Sequence, residues 1–166
     1  MSEEHTTKLS FRLNSAVYAA LSKCAEANHY ETMAYIQKVL SKHAVESGYM
    51  KTEEAEKVSA IEDIIDRAVQ KSKELYKQGL FTEDFVLTVF QHLMTDTEFL
   101  PRYEKVIGGD AYTSGLPGKS PLNMYLGSYI KNAIGAHSKM MNGKPVRVQV
   151  KNEPIQSYTR LFMKDV

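Results

Sequence analysis

The 166-residue chain has a single cysteine, Cys24, and therefore has no internal disulfide framework. A single cysteine is typical of proteins in the reducing cytoplasm, and we expect this protein to act there. No apolar run approaches the roughly 18 residues that a membrane span needs. The acidic, polar start Met1–His5 is unlike a signal peptide. We therefore expect a cytoplasmic protein with no membrane partner.

Patterns that indicate catalysis or metal binding are also scarce. The five histidines are scattered without the spacing of metal ligands. Residues Thr113–Ser120 are similar to the phosphate-binding loop of nucleotide hydrolases, but Thr113 replaces the first glycine and no buried strand precedes the segment. Cys24 falls on the apolar face of a predicted helix, which favours a small core residue. The sequence thus predicts no enzyme, no metal and no cofactor.

Charge is balanced over the chain, with a net value of +1, but it is unevenly distributed. Residues 51–100 carry six basic and eleven acidic side chains, whereas residues 101–166 carry ten basic and four acidic ones. This asymmetry favours an acidic, solvated middle and a basic end that faces a polyanion. The alternative is a basic face that binds nothing.

The N-terminal fifty residues predict one strand followed by two helices. Lys8–Leu13 alternates polar and apolar residues with the period of a half-buried strand. Asn14 or Ser15 is expected to cap the first helix, and the second begins near Glu31 or Thr32 and ends at Gly48. A lone strand leaves its backbone groups unpaired, and fifty residues bury only a small core. The segment therefore predicts a homodimer in which two copies of the strand pair.

Residues 8–48 resemble the ribbon-helix-helix DNA-binding family of the Arc/MetJ/CopG type. The strand Lys8–Leu13, the polar turn after it, Tyr35-Ile36 in the second helix and the lengths of both helices carry this resemblance. The expected architecture is mainly α with short strands. It has a dimeric ribbon-helix-helix domain over residues 1–50 and a mostly helical α+β domain over residues 51–166.

The resemblance implies which residues contact DNA. The base-reading positions on the outer face of the ribbon are Lys8, Ser10 and Arg12, whose side chains suit the edges of bases in the major groove. The backbone at Glu31, Thr32 and Met33 corresponds to the family's phosphate clamp, although His29 and Glu31 replace the usual glycine and small hydroxyl residue. The expected dimer core is Leu9, Phe11, Leu13, Ile36 and Leu40.

The rest of the chain predicts an acidic helical hairpin over residues 52–100 and a basic helix-strand end over residues 108–166. The hairpin joins a helix over 51–78 to a second helix capped by Thr82 through the turn Gly79–Phe81. A further helix starts at Ser120-Pro121 and runs to about Met141, where Asn142-Gly143 ends it. Pro145–Lys151 alternates like a strand.

The basic end predicts a second nucleic-acid contact, since phosphate binding needs cations. The candidate residues are Lys119, Lys131, Lys139, Lys144, Arg147, Gln149 and Lys151. The same surface equally suits a protein partner, or assembly of dimers into a higher oligomer along DNA. These residues therefore leave two uses open.

The expected function is sequence-specific binding of double-stranded DNA, most simply by a transcriptional repressor of a bacterium, phage or plasmid. A plasmid partition or relaxosome accessory protein would use the same ribbon. An antitoxin would use it too, although the patterned region after Lys51 is unlike a short disordered toxin-binding tail. The alternative from another functional class is an RNA- or protein-binding adaptor that acts through the basic C-terminal domain.

Overall fold

The computed structural model describes residues 8–164 of the chain. The described part contains six helices and six short strands, which confirms the expectation of a mainly α architecture with short strands. The helices are α1 (Ser15–Ala27), α2 (Thr32–Glu46), α3 (Thr52–Lys77), α4 (Phe85–Met94), α5 (Phe99–Ile107) and α6 (Lys119–Ala133). The strands are β1 (His137–Ser138), β2 (Met140–Met141), β3 (Lys144–Pro145), β4 (Arg147–Gln149), β5 (Ser157–Thr159) and β6 (Leu161–Phe162).

The long helix α3 lies at the centre of the fold and contacts α2, α4, α5 and α6. Its buried face carries Ile64, Ile65 and Leu75, which follow the helical spacing of the sequence pattern. It ends at Lys77, and the left-handed backbone of Gly79 just beyond lets Leu80 N–H donate to the Leu75 carbonyl. Helix α4 follows after a short connection and packs against α3.

Aromatic side chains fill the space between α3, α4, α5 and α6. Phe85, Phe90, Phe99 and Tyr103 are fully buried, and the Phe99 and Tyr103 rings stack with centroids 5.7 Å apart. The Tyr103 hydroxyl donates to Oδ1 of Asn123 at 2.6 Å. Burial raises the pKa of Tyr103 to about 12. Each such aromatic residue stabilises the fold by about 1.5–3 kcal/mol through the surface it removes from water.

Helix α5 is absent from the sequence-based expectation. Its start is fixed by Asp96, whose carboxylate accepts the N–H groups of Glu98 at 2.8 Å and Phe99 at 3.0 Å. Pro101 lies in the first turn, where its missing N–H costs nothing. The expected cap at Thr82 is wrong, because α4 begins at Phe85 and Thr82 contributes only its backbone carbonyl.

Helix α6 ends at Ala133, and the expectation that it continues to Met141 is wrong. Gly135 adopts a left-handed backbone, and Ala136 N–H donates to the Lys131 carbonyl, which closes the helix. Asn142-Gly143 forms the two-residue loop of a β2–β3 hairpin, with both residues at positive φ. This pair of residues therefore turns a hairpin and does not end a helix.

The three antiparallel strand pairs are β1–β6, β2–β3 and β4–β5. The three pairs meet at a ring of backbone hydrogen bonds, each 2.8–2.9 Å long, among Lys139, Val146 and Arg160. Lys139 N–H donates to the Arg160 carbonyl, Arg160 N–H donates to the Val146 carbonyl, and Val146 N–H donates to the Lys139 carbonyl. The predicted strand over Pro145–Lys151 is consequently divided at Val146 into β3 and β4. Across residues 8–164, no helix combines the length and the apolar character needed to span a membrane.

Candidate nucleic-acid interface

The segment before α1 forms neither a helix nor a strand among the described residues. Asn14 ends it by capping α1, since its Oδ1 accepts the Ala16 N–H at 2.9 Å, as expected from the sequence. Residues 8–13 make no backbone hydrogen bond to another part of the described chain. The predicted strand Lys8–Leu13 is thus without a ladder in the single chain.

The apolar side chains of this segment are exposed over a shallow groove. Leu9 is 75% exposed, Phe11 54% and Leu13 39%. Together with Tyr18, Met33 and Ile36 from α1 and α2, they line one continuous depression. Among the expected dimer-core residues, Ile36 is buried and Leu40 is exposed. An apolar surface of this kind is typical of a contact face.

The predicted base-reading residues Lys8, Ser10 and Arg12 are all exposed. Lys8 and Arg12 do not line the groove, whereas Ser10 does. The alternation read from the sequence therefore separates the two long cations of the segment from its apolar side chains. Cys24 is also exposed, and its expected place in the core is wrong for the single chain.

The start of α2 carries the predicted phosphate clamp. Glu31 is the cap, because its carboxylate accepts the Ala34 N–H at 3.0 Å. Thr32, one of the two expected starts of the helix, is its first residue. A carboxylate already occupies this helix end, and it repels a phosphate. The geometry therefore weighs against the clamp at Glu31, Thr32 and Met33.

The turn before α2 contains a residue with a left-handed backbone, His29. His29 has φ +60°, and Tyr30 N–H donates to the Ala25 carbonyl at 2.9 Å, which closes α1. A left-handed backbone favours glycine, since other residues bring Cβ close to the following carbonyl oxygen. His29 thus occupies a position whose backbone glycine would adopt without strain.

A polar cluster fixes α2 on α3. Lys38 lies 3.3 Å from Glu62 Oε2 and forms an ion pair with Asp66, to which the Tyr30 hydroxyl also donates. The Tyr30 ring packs edge-on against Tyr129 of α6, with centroids 5.5 Å apart. Burial and the hydrogen bond to Asp66 raise the pKa of Tyr30. Helix α2 and the turn before it are therefore held against α3 and α6.

Lys119, the first of the predicted basic contacts, is buried with 4% of its surface exposed. Its ammonium donates to the carbonyls of Ala111 at 2.6 Å and Thr113 at 2.8 Å. Burial lowers its pKa. Lys119 therefore holds the loop before α6 instead of facing a polyanion, and the segment Thr113–Ser120 lacks the free lysine of a phosphate-binding loop.

Two further cations of the basic end pair with the acidic start of α4. Lys139 forms an ion pair with Glu83, and Arg160 Nε lies 3.1 Å from Asp84 Oδ1. The Tyr158 hydroxyl donates to the same Asp84 oxygen at 2.9 Å, and Leu161 N–H donates to the Glu83 carbonyl. Part of the charge asymmetry thus serves to attach the strands to the helices.

The other predicted basic contacts fall into two groups. Lys144, Gln149 and Lys151 are exposed on the strand segment. Lys131 and the exposed Arg147, together with the buried Lys119, line a cleft between α6 and the strands. The structure therefore does not bring the seven residues into one surface.

Sequence reasoning missed the pairing of Glu83 and Asp84 with the basic end. The signal for it was present, because two adjacent acids precede an apolar helix while the opposite charge accumulates at the other end of the chain. It also missed the cleft, which depends on how α6 and β5 pack. No group of three or more His, Cys, Asp and Glu residues within 8–164 is arranged to hold a metal ion.

Comparison with known proteins identifies no relative for this chain. No family model matches it, and neither a curated protein nor a solved structure does so. The function therefore has to be argued from the residues and their arrangement.

Proposed function

We propose that the chain is a homodimeric, sequence-specific binder of double-stranded DNA that represses transcription by occluding an operator. The observation that carries this proposal is the state of segment 8–13. It exposes Leu9 and Phe11 over an apolar groove, and its backbone has no partner among the described residues. A second copy of the same segment, paired antiparallel, satisfies the backbone and covers the apolar side chains at once.

The energetics favour a second copy as the occupant of the groove. In a two-fold dimer both copies contribute the same surface, so each apolar contact between the segments occurs twice. Burial of one Leu or Phe side chain contributes about 1.5–3 kcal/mol. Leu40, which is exposed on α2 of the single chain, adds to the surface available to the partner.

Pairing in this way forms a ribbon whose outer face carries Lys8, Ser10 and Arg12 from both copies. A two-stranded ribbon fits the major groove, where Arg and Lys donate to guanine O6 and N7. The Glu31 carboxylate disfavours phosphate at the start of α2. Phosphate contacts are better supplied by exposed cations such as Lys144 and Lys151.

The test is selection of bound fragments from a pool of duplex DNA, with single-stranded RNA offered in parallel. We expect the full chain to enrich a palindromic duplex sequence, because a two-fold ribbon reads two half-sites. Arg12→Ala should weaken binding by roughly 1–3 kcal/mol per bidentate base contact while the dimer persists. Lys42→Ala is the matched control, since Lys42 is an exposed cation on α2 that lies 3.8 Å from Glu46. Preference for RNA, or equal behaviour of both variants, would overturn the proposal.

A further inference from the structure

A cleft of about 570 Å³ lies between α6, the loop that precedes it, and strands β4 and β5. Pockets that bind small molecules usually measure roughly 300–1,000 Å³. Its lining includes residues of the loop and Ser157–Thr159 of β5. The cleft is thus separate from the ribbon and of a size that admits a small ligand.

Three cations line the cleft: Lys119, whose ammonium already donates to loop carbonyls, Lys131 in the last turn of α6, and Arg147 on β4. Lys131 and Arg147 are the two that can meet a ligand. Arg147 Nη2 donates to Ser157 Oγ at 2.9 Å, which holds the guanidinium against the wall. A guanidinium has five N–H donors, so this bond leaves others for a ligand. Among the described residues that line the cleft there is no Asp or Glu. An anion therefore meets attraction without a competing carboxylate.

The remaining polar groups of the wall are largely hydroxyls. Ser120 and Ser128 come from α6, Ser138 from β1, and Ser157 from β5. Hydroxyls donate to phosphate oxygens, and hydrogen bonds to a charged acceptor are roughly twice as strong as neutral ones. Two cations with several hydroxyls suit a group with three or more acceptor oxygens, as in a phosphate monoester.

The cleft also has apolar residues in its lining. Leu116 and Pro117 lie in the loop, and Met124 projects from α6 with 69% of its surface exposed. Val86 and Ile155 form buried parts of the lining. A ligand that places its phosphate against the cations therefore has an apolar surface available for a ring or chain.

We propose that this cleft binds a small phosphate monoester that carries an apolar or aromatic group. The site is independent of the proposed DNA binding, because it shares no residue with the ribbon 8–13 or with its groove. A concave site suits a free ligand better than the convex surface of duplex DNA, and the exposed Lys144 and Lys151 lie outside the cleft.

Phenyl phosphate tests the proposal, with inorganic phosphate and phenol as the two halves of the probe. Titration of the isotope-labelled full chain, followed by nuclear magnetic resonance, should show saturable shifts around Ser128, Ser138 and Ser157. The Lys131→Gln/Arg147→Gln variant should bind roughly ten- to hundredfold more weakly, since it removes two charge-assisted hydrogen bonds to the phosphate. Lys144→Gln/Lys151→Gln removes the same charge from exposed positions and should leave the affinity unchanged.

The outcomes separate the alternatives. Equal weakening in both double variants would show a nonspecific charge effect, and absence of saturable binding would remove the site. If the cleft variant weakens duplex DNA but the probe does not saturate, the cleft is a nucleic-acid surface and the proposal is wrong. Lys131→Gln alone is the second variant, because its decrease in affinity can be read even if the double variant fails to fold. Tight binding of phenol without phosphate would equally overturn the proposal.

Discussion

The ammonium group of Lys38 lies 3.3 Å from a carboxylate oxygen of Glu62, and this contact joins α2 to α3. Burial raises the pKa of Glu62, while the neighbouring Lys38 opposes the rise. The same ammonium pairs with Asp66, which also accepts the Tyr30 hydroxyl. One of the two helices that would carry the dimer, α2, is therefore held to α3 by a partly buried charge cluster. Its stability depends on protonation.

The first prediction concerns pH. The folded-state pKa of Glu62 lies above its value in the unfolded chain, which is about 4.3. The folded state then binds this proton more tightly, so the associated stability is complete below about pH 4 and is lost as pH rises through the folded pKa. Between about pH 4 and pH 7, the unfolding free energy of the wild type should fall relative to that of Glu62→Gln. Urea unfolding at fixed protein concentration measures this.

Two companion variants sharpen the measurement. Lys38→Met should steepen the fall, because it removes the cation that lowers the Glu62 pKa. Glu56→Gln, an exposed position on α3, should leave the pH profile of the wild type unchanged. A Glu62→Gln profile parallel to the wild type would contradict the assignment of the titration to Glu62.

The second prediction concerns assembly. Phe11→Asp places a charge on the exposed apolar side of segment 8–13, where the proposed partner would bury it, and dimer stability should fall by several kcal/mol. Sedimentation should show a dimer for the wild type and a monomer for this variant. Arg12→Asp is the control, since the neighbouring side chain does not line the groove and should leave the dimer intact. A wild type that sediments as a folded monomer at micromolar concentration would refute the dimer.

The third prediction concerns the turn between α1 and α2. His29→Gly should raise the unfolding free energy by about 0.5–1 kcal/mol. Relief of the left-handed backbone gains about 1–2 kcal/mol, and the greater freedom of glycine in the unfolded chain offsets part of it. His43→Gly, in the last turn of α2, should instead cost about 1 kcal/mol. Thermal unfolding of both variants measures these changes. Destabilisation by His29→Gly would show that contacts of the His29 imidazole stabilise the fold by more than its left-handed backbone costs.

How far the sequence predicts this fold depends on whether the signal is local. The cap at Asn14, the ends of α1–α3 and the apolar face of α3 follow from spacing and termination signals near in sequence. Spacing misplaces the end of α6, because the apolar residues beyond Gly135 continue a helical pattern that one left-handed backbone interrupts. Asn142-Gly143 then serves a hairpin, since Met141 pairs with Lys144.

The candidate site divides in the same way. The alternation in residues 8–13 correctly separates Leu9, Phe11 and Leu13 from the long cations. Whether a basic residue is buried, paired or exposed depends on tertiary packing, which the spacing of residues in the sequence does not encode. Lys119 is buried against carbonyls of its own loop, and Lys139 pairs with an acid 56 positions away. Composition therefore overstates the number of cations available to a polyanion.

The last prediction concerns the exposed cations of the basic end, Lys144 and Lys151. If they bind phosphates in the proposed DNA complex, Lys144→Ala/Lys151→Ala should weaken binding to operator and random duplexes alike, because phosphate contacts carry no sequence information directly. The slope of log affinity against log salt should flatten by about 0.9 for each phosphate that the variant no longer neutralises. Lys139→Ala removes a cation that is already paired with Glu83, so it should leave the slope nearly unchanged. A salt titration on long and short duplexes measures all three proteins. Identical slopes for the double variant and the wild type on both duplexes would assign this surface to a protein partner.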